Sequence, residues 1–170
     1  MNPSRPFSIR PAPAAEKPLV AALFQAYFKE LSRFPAAEPF ARDESGAYVY
    51  PYFDRYWQEG VRFPYLLLEG DGVAGFALVR HNGTSREIAE FYVKPEFRRR
   101  GLGRACATLL VARHPGAWHI AFNRANRAGR ALWTSLADDL SGGRYERRPV
   151  DACYECVEFS TTGNDIEDVS

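Results

Sequence analysis

Cysteine, methionine and long apolar runs are scarce in this 170-residue chain, and neither sign of charge dominates it. Three cysteines are an odd number and too few for a disulfide framework. Cys153 and Cys156 form a lone C-x-x-C, with no second pair and no histidine pair at zinc spacing, so no metal is expected. Their stretch is strand-like, and a separation of three puts them on opposite faces as packing residues. No apolar run approaches the roughly 20 residues of a membrane span. Nor do the first residues carry a secretory signal pattern. The expectation is a cytoplasmic protein without membrane contact. Lys plus Arg is 22 against 21 for Asp plus Glu, and a net charge of +1 gives no global argument for nucleic acid.

What is present is a core and a local imbalance of charge. At 46% hydrophobic, the chain can fill one domain, expected over residues 1–160, with an acidic, disordered tail from 161 to 170. Residues 94–104 hold Lys94, Arg98, Arg99, Arg100 and Arg104 against Glu96 alone. Residues 38–59 hold Glu38, Asp43, Glu44, Asp54 and Glu59 against two arginines. The first cluster suits an anion and the second a cation.

Periodicity orders the elements. Phe7–Arg10 reads as a strand. Val20, Leu23, Phe24, Tyr27, Phe28 and Leu31 then follow helical spacing. Residues 35–60 are irregular, with a short helix near Tyr52–Gln58. Phe63–Leu68, Val73–Val79 and Glu87–Val93 form a meander, with turns at Glu69–Gly72 and His81–Gly83. Gly101–Arg113 is a helix, Trp118–Phe122 a strand, and Asn126 caps a last helix that Ser141–Gly143 ends. A final strand covers Cys153–Phe159. The step from Glu87–Val93 to Trp118–Phe122 is a β-α-β unit with parallel strands and a right-handed crossover.

The chemistry concentrates at the loop Lys94–Arg104, between a strand and a helix. Gly101 and Gly103 lack Cβ atoms and let backbone approach a ligand closely. Successive N–H groups at a helix start make an anion seat, and the arginines add charge-assisted bonds, which together describe a pyrophosphate site. An NTPase P-loop is excluded, because Arg104 and Ala105 follow Gly103 where Lys and Ser/Thr are required. The G-x-G-x-x-G fingerprint is also absent. The alternative is that Arg98–Arg100 are only a solvated run.

Arg98-x-x-Gly101-x-Gly103 resembles the Q/R-x-x-G-x-G/A motif of the GNAT superfamily of N-acetyltransferases, and the phrasing around it looks like a bacterial subgroup. Phe91-Tyr92-Val93-x-Pro95 is similar to the family strand that pairs with pantetheine. Asn126-x-x-Gly129-x-x-Leu132-Trp133 is similar to its later N-x-x-A-x-x-F/L-Y/W segment. The resemblance implies an α+β GNAT fold: a central, mixed but mostly antiparallel sheet of six to seven strands, flanked by helices. It implies acetyl-CoA as co-substrate, held by Phe91, Tyr92, Val93, Arg98, Arg99, Arg100, Gly101, Leu102, Gly103, Arg104 and Asn126, although Asn126 is equally readable as a plain helix cap. The acetyl group passes directly to a primary amine, on a small molecule or a peptide. Homodimers are common in the family.

For catalysis the resemblance offers Glu90 as base, set against an ordinary strand carboxylate, with oxyanion donors near Tyr92 and Val93. The position seven residues after Asn126, where many relatives carry a tyrosine acid, is Trp133, whose indole cannot deliver a proton at neutral pH. Tyr92 and Tyr145 are then the nearest acids, although a thiolate can leave without one. Tyr52, Asp54 and Trp57, within an aromatic run from Tyr48 to Tyr65, are expected to wall the acceptor site; the other reading is that these rings are core. Two competing functions remain: an acyl-CoA-binding or sensing module without catalysis, and a nucleic-acid binder using Arg98–Arg104, against which the neutral charge counts.

Overall fold

The computed structural model describes residues 6–36 and 38–161. Seven strands form one sheet: β1 (Phe7–Pro11), β2 (Arg62–Glu69), β3 (Gly72–Asn82), β4 (Ser85–Val93), β5 (Ala117–Asn123), β6 (Tyr145–Pro149) and β7 (Tyr154–Ser160). Their spatial order is β1-β2-β3-β4-β5-β7-β6. The single parallel contact is β4 with β5; every other neighbour pair is antiparallel. The helices are α1 (Lys17–Leu31), α2 (Leu102–Arg113) and α3 (Arg127–Ser141). The expected mixed, mostly antiparallel sheet is the one found.

Each face of the sheet buries its own cluster. Ile88, Leu102, Cys106, Leu110, Trp118, Ile120, Phe122, Trp133, Leu136 and Val157 pack together on the face of α2 and α3. Val20, Leu23, Phe24 and Phe28 of α1 pack with Leu66, Phe76, Leu78 and Tyr92 on the other. The α1 residues recur at helical spacing, so one stripe reaches the sheet.

Strand β4 is less regular than the sequence pattern. The β3–β4 register slips between Leu78, opposite Glu90, and Val79, opposite Ile88, which makes Ala89 the extra residue of a β-bulge. Ile88 and Phe91, three apart, therefore both face α2 and α3, while Ala89 packs on the α1 side. The last helix ends in left-handed Gly142 (φ 62°), whose N–H donates to Asp138. The short helix near Tyr52–Gln58 is a 3-10 turn, Asp54–Trp57. Strand β6 was not foreseen, because Tyr145–Pro149 sits on a sheet edge, is almost wholly exposed and shows no apolar alternation. The expected acidic tail lies outside the described residues beyond Thr161. All three cysteines are free, with Cys156 buried and Cys153 partly so.

A polar knot closes the end of the sheet where α2 stops. The Tyr65 hydroxyl lies 2.7 Å from His114 Nε2, and His81 Nε2 lies 3.0 Å from His114 Nδ1. Burial, helped by His81 and Arg113, holds the His114 pKa down at about 4. In the unfolded chain an imidazole titrates near 6.5, so between about 6.5 and 4 only the unfolded chain takes up this proton. Stability from neutral His114 is thus complete above pH ~6.5 and is lost as pH falls toward ~4. His114→Gln is expected to flatten the stability–pH profile over that window by about one proton. Denaturant titrations at pH 4.5, 5.5 and 7 check it, and an unchanged slope would show that His114 is not buried neutral.

Candidate active site

The parallel pairing of β4 and β5 covers only Ser85–Ala117, Arg86–Trp118 and Glu87–His119. Beyond these three pairs the strands separate, and a cavity of about 210 Å³ opens between them. Ile88, Glu90, Phe91, Phe122, Asn123 and Trp133 line it, with Tyr27 and Phe28 of α1, Phe40 and Tyr154 closing the α1 side. A second cavity, about 380 Å³, continues toward the α2 start and is lined by Tyr92, Val93, Arg98, Gly103, Gly129 and Leu132. Tyr27, Leu31, Phe91 and Asn126 border both, so the two form one channel through the sheet.

Backbone geometry sets what this channel offers. Lys94 N donates to Ala74 O on β3. Alternation along β4 then sends the Tyr92 N–H to β3 as well, and turns the Phe91 and Val93 N–H groups toward the separated side. Of the two positions expected to supply donors, the Val93 N–H faces the separated side and the Tyr92 N–H does not. At Gly75, opposite Val93, a Cβ would lie 1.9 Å from the Tyr92 carbonyl oxygen, so only glycine lets β3 support this strand end.

At the mouth, the first backbone bond of α2 runs from Ala105 N to Gly101 O. No backbone acceptor among the described residues takes the Leu102, Gly103 and Arg104 N–H groups, the orphan donors of a helix start. Gly101 has φ 80° and Arg99 φ 61°, so successive N–H groups point into one concavity. The arginines are unequal. Arg98 Nε donates to Val93 O at 2.8 Å and its Nη2 bonds Glu30 at 2.7 Å. Arg100 pairs with Glu69 and Arg104 with Asp139 and Ser135. Arg99 has no ion pair among the described residues. Arg98, Arg99 and Arg100 are all exposed, and Arg98 is the one of the loop arginines that borders the channel.

Glu90 sits inside the channel, partly buried, on the same side as Tyr27. Burial raises its carboxyl to about 7, against a hydrogen bond from Tyr27 and the nearby charge of Arg80, which lower it. Desolvation first, and then Glu90, raise the Tyr27 hydroxyl well above its usual range. Asn126 is the helix cap expected, its Oδ1 accepting the Gly129 N–H at 3.0 Å, and its side chain also borders the channel.

Several expected residues are not brought here. Tyr52 is exposed and meets Tyr50 edge-on. Asp54 pairs with Lys17 at the other end of α1, and Trp57 donates to Ala12 O at 3.0 Å. None of the three lines the channel, because the 48–57 segment packs along α1 toward its N-terminus. Tyr145 lies on edge strand β6, remote from Glu90. Tyr92 does line the second cavity, but its ring is buried in the cluster under α1, 5% exposed. Trp133 stacks edge-on against Phe91, centroids 5.1 Å apart, as a wall of the channel.

Tyr27, Phe40, Asn123 and Tyr154 were missed. Asn123 Nδ2 donates to Pro35 O at 2.6 Å, which ties the segment after α1 across the channel. Tyr27 carried a signal, but it is the same apolar spacing that marks α1 core; Tyr154 and Asn123 meet only through β5–β7 pairing.

The sequence profile of the acetyltransferase (GNAT) family matches residues 22–139. The chain belongs to that family. A comparison with curated protein sequences finds no match. Among solved structures, the fold is similar to yncA of Salmonella typhimurium, solved with acetyl-CoA (TM-score 0.64, 16% identity, 96% of this chain and 99% of that one). It is also similar to the PaiA N-acetyltransferase of Thermoplasma acidophilum in complex with coenzyme A (0.60, 11%, 91% and 99%). A third is the ribosomal-protein-S18-alanine N-acetyltransferase of Escherichia coli (0.59, 17%, 96% and 100%).

The two loop glycines are there for different reasons. A Cβ at Gly103 would meet Val93 and Phe91 at 3.7 and 3.8 Å, ordinary contacts, whereas Gly101 needs its positive φ. Gly101→Ala is expected to cost about 1–2 kcal/mol of stability and Gly103→Ala almost none. Urea unfolding of both variants decides it, and equal losses would overturn the assignment.

Proposed function

We infer that this acetyltransferase takes acetyl-CoA and moves the acetyl group to a primary amine by direct attack in a ternary complex. The observation that carries the reading is Glu90, a carboxylate with its pKa near neutrality inside the channel that the separated β4 and β5 create. The pyrophosphate is held by the free N–H groups of Leu102–Arg104 and by Arg98. Pantetheine runs along Phe91–Val93 and past Asn126. The thioester reaches the β4–β5 gap, and the Val93 N–H meets the oxyanion as the carbonyl carbon becomes tetrahedral.

An amine arrives largely protonated at neutral pH, so the reaction needs a base. Glu90, with a pKa matched to that pH, takes the proton, and Tyr27 holds its carboxylate in place. The CoA thiolate leaves; its conjugate acid has a pKa of about 8.5 if it behaves like a free cysteine, so no dedicated acid is required. On the acceptor side Glu90 is the charged group among Tyr27, Phe28, Phe40 and Tyr154. That wall favours a compact amine with an apolar or aromatic body over a strongly charged one. Glu90, rather than Asp54, then supplies the negative charge that receives the amine.

A coupled thiol-release screen against a library of amines tests the activity; acetyl-CoA binding with no turnover of any amine would favour the sensing module instead. Glu90→Gln should lower kcat/KM about 100-fold or more at pH 7 and remove the acidic limb near pH 7. The same substitution should act oppositely on stability. A carboxyl that titrates near 7 when folded and near 4.5 when unfolded contributes stability in full below about pH 4.5 and loses it as pH rises through 7. Glu90→Gln should therefore be more stable than the parent at pH 8, by on the order of 2 kcal/mol, and equal to it at pH 4.5. Unchanged activity and a pH-independent stability difference would remove Glu90 from the reaction.

A further inference from the structure

An open groove of about 860 Å³ shares no residue with the channel. It lies at the end of β5 where β4 and β5 are still paired. Register places four residues side by side across it: Glu87 on β4, His119 on β5, Glu158 on β7 and Glu146 on β6. Glu87 is taken by Arg80. Glu146 forms no ion pair among the described residues and lines the groove. Cys156 is two residues from Glu158 on β7 and on the same face.

The donor atoms of His119, Cys156 and Glu158 all lie within 4.8 Å of one another, and His119 Nδ1 is 2.9 Å from Glu158 Oε1. A tetrahedral ion with bonds of about 2.0–2.3 Å needs donors about 3.3–3.8 Å apart, within reach of small side-chain rotations here. The trio already attracts a positive group: Arg148, opposite Cys156 on β6, lays its guanidinium on Glu158. Arg148 is largely exposed on an edge strand, and an exposed pair of this kind is readily displaced.

We propose that His119, Cys156 and Glu158 bind one divalent cation of the zinc class, with Glu146 or water from the groove as fourth ligand. A thiolate with an imidazole and one carboxylate selects zinc over magnesium or calcium, which prefer oxygen alone. On binding, the Cys156 thiol releases its proton to solvent as the sulfur–metal bond forms, and Arg148 swings away. The ion then clamps β5 and β7, and through Glu146 the edge strand β6. The C-x-x-C spacing did not reveal this, because Cys153 takes no part and His119 joins Cys156 only through strand pairing. The site stands independently of the acetyl-transfer reading.

The test is titration of the full chain with Zn²⁺ by calorimetry and with Co²⁺ by absorption spectroscopy, with thermal unfolding alongside. One ion per chain, a thiolate-to-cobalt charge-transfer band, and a thermal midpoint raised by zinc but not magnesium are expected. Cys156→Ser should remove the band and weaken zinc affinity at least about 100-fold. His119→Ala, at a partly exposed position that folding tolerates, should weaken it at least about tenfold. Arg148→Ala, which removes the competing cation, should tighten it severalfold. Parent-like zinc affinity in Cys156→Ser or His119→Ala, a cobalt spectrum without the thiolate band, or weaker binding in Arg148→Ala would each overturn the proposal.

Discussion

The early end of the β4–β5 ladder is the constraint on which the rest of the site depends. Parallel strands that stayed paired to Val93 would satisfy the Phe91 and Val93 N–H groups and leave no space between them. Separation after Glu87–His119 leaves those donors free and opens the sheet from one face to the other. An opened sheet loses ladder hydrogen bonds, which is tolerable only if other groups close the gap. Phe122 and Trp133 fill it from the α3 side, and Tyr27, Phe28 and Phe40 from the α1 side.

The bulge at Ala89 puts a carboxylate into that gap. Without the extra residue, strict alternation from Ile88 would carry Glu90 to the face of α2 and α3, into a wholly apolar cluster. With it, Glu90 lies beside Tyr27 and within the field of Arg80, buried enough to resist ionisation and solvated enough to ionise near neutrality. A carboxylate held in this balance lowers the stability of the folded chain at alkaline pH and gains a pKa suited to proton transfer. Gly75 contributes at the next position along: its missing side chain lets β3 press against Tyr92 and hold the strand end in place.

Much of the fold, and the loop proposed to hold the cofactor, was legible in the sequence, because both rest on local signals. Alternation marked β2 to β5, helical spacing marked α1 and α2, and Arg98, Gly101 and Gly103 lie within one loop whose conformation their own residue types dictate. Glu90, on the same strand, was legible as a candidate. The residues that line the rest of the channel were not. Aromatic residues from Tyr48 to Tyr65 are dense in sequence, yet Tyr52, Asp54 and Trp57 pack toward the start of α1, while Tyr27, Asn123 and Tyr154 converge from three elements through pairing that no spacing encodes. Strand β6 escaped for a related reason: an exposed edge with charges along it looks like a loop.

A crystal structure of the protein with coenzyme A tests the central claim most directly. The pyrophosphate is expected on the Leu102, Gly103 and Arg104 N–H groups, with Arg98 beside it, and the sulfur in the β4–β5 gap facing Glu90. Coenzyme A bound elsewhere, or bound with its thiol outside the gap and Glu90 screened from it, would contradict the assignment of the separated strands as the site of acetyl transfer.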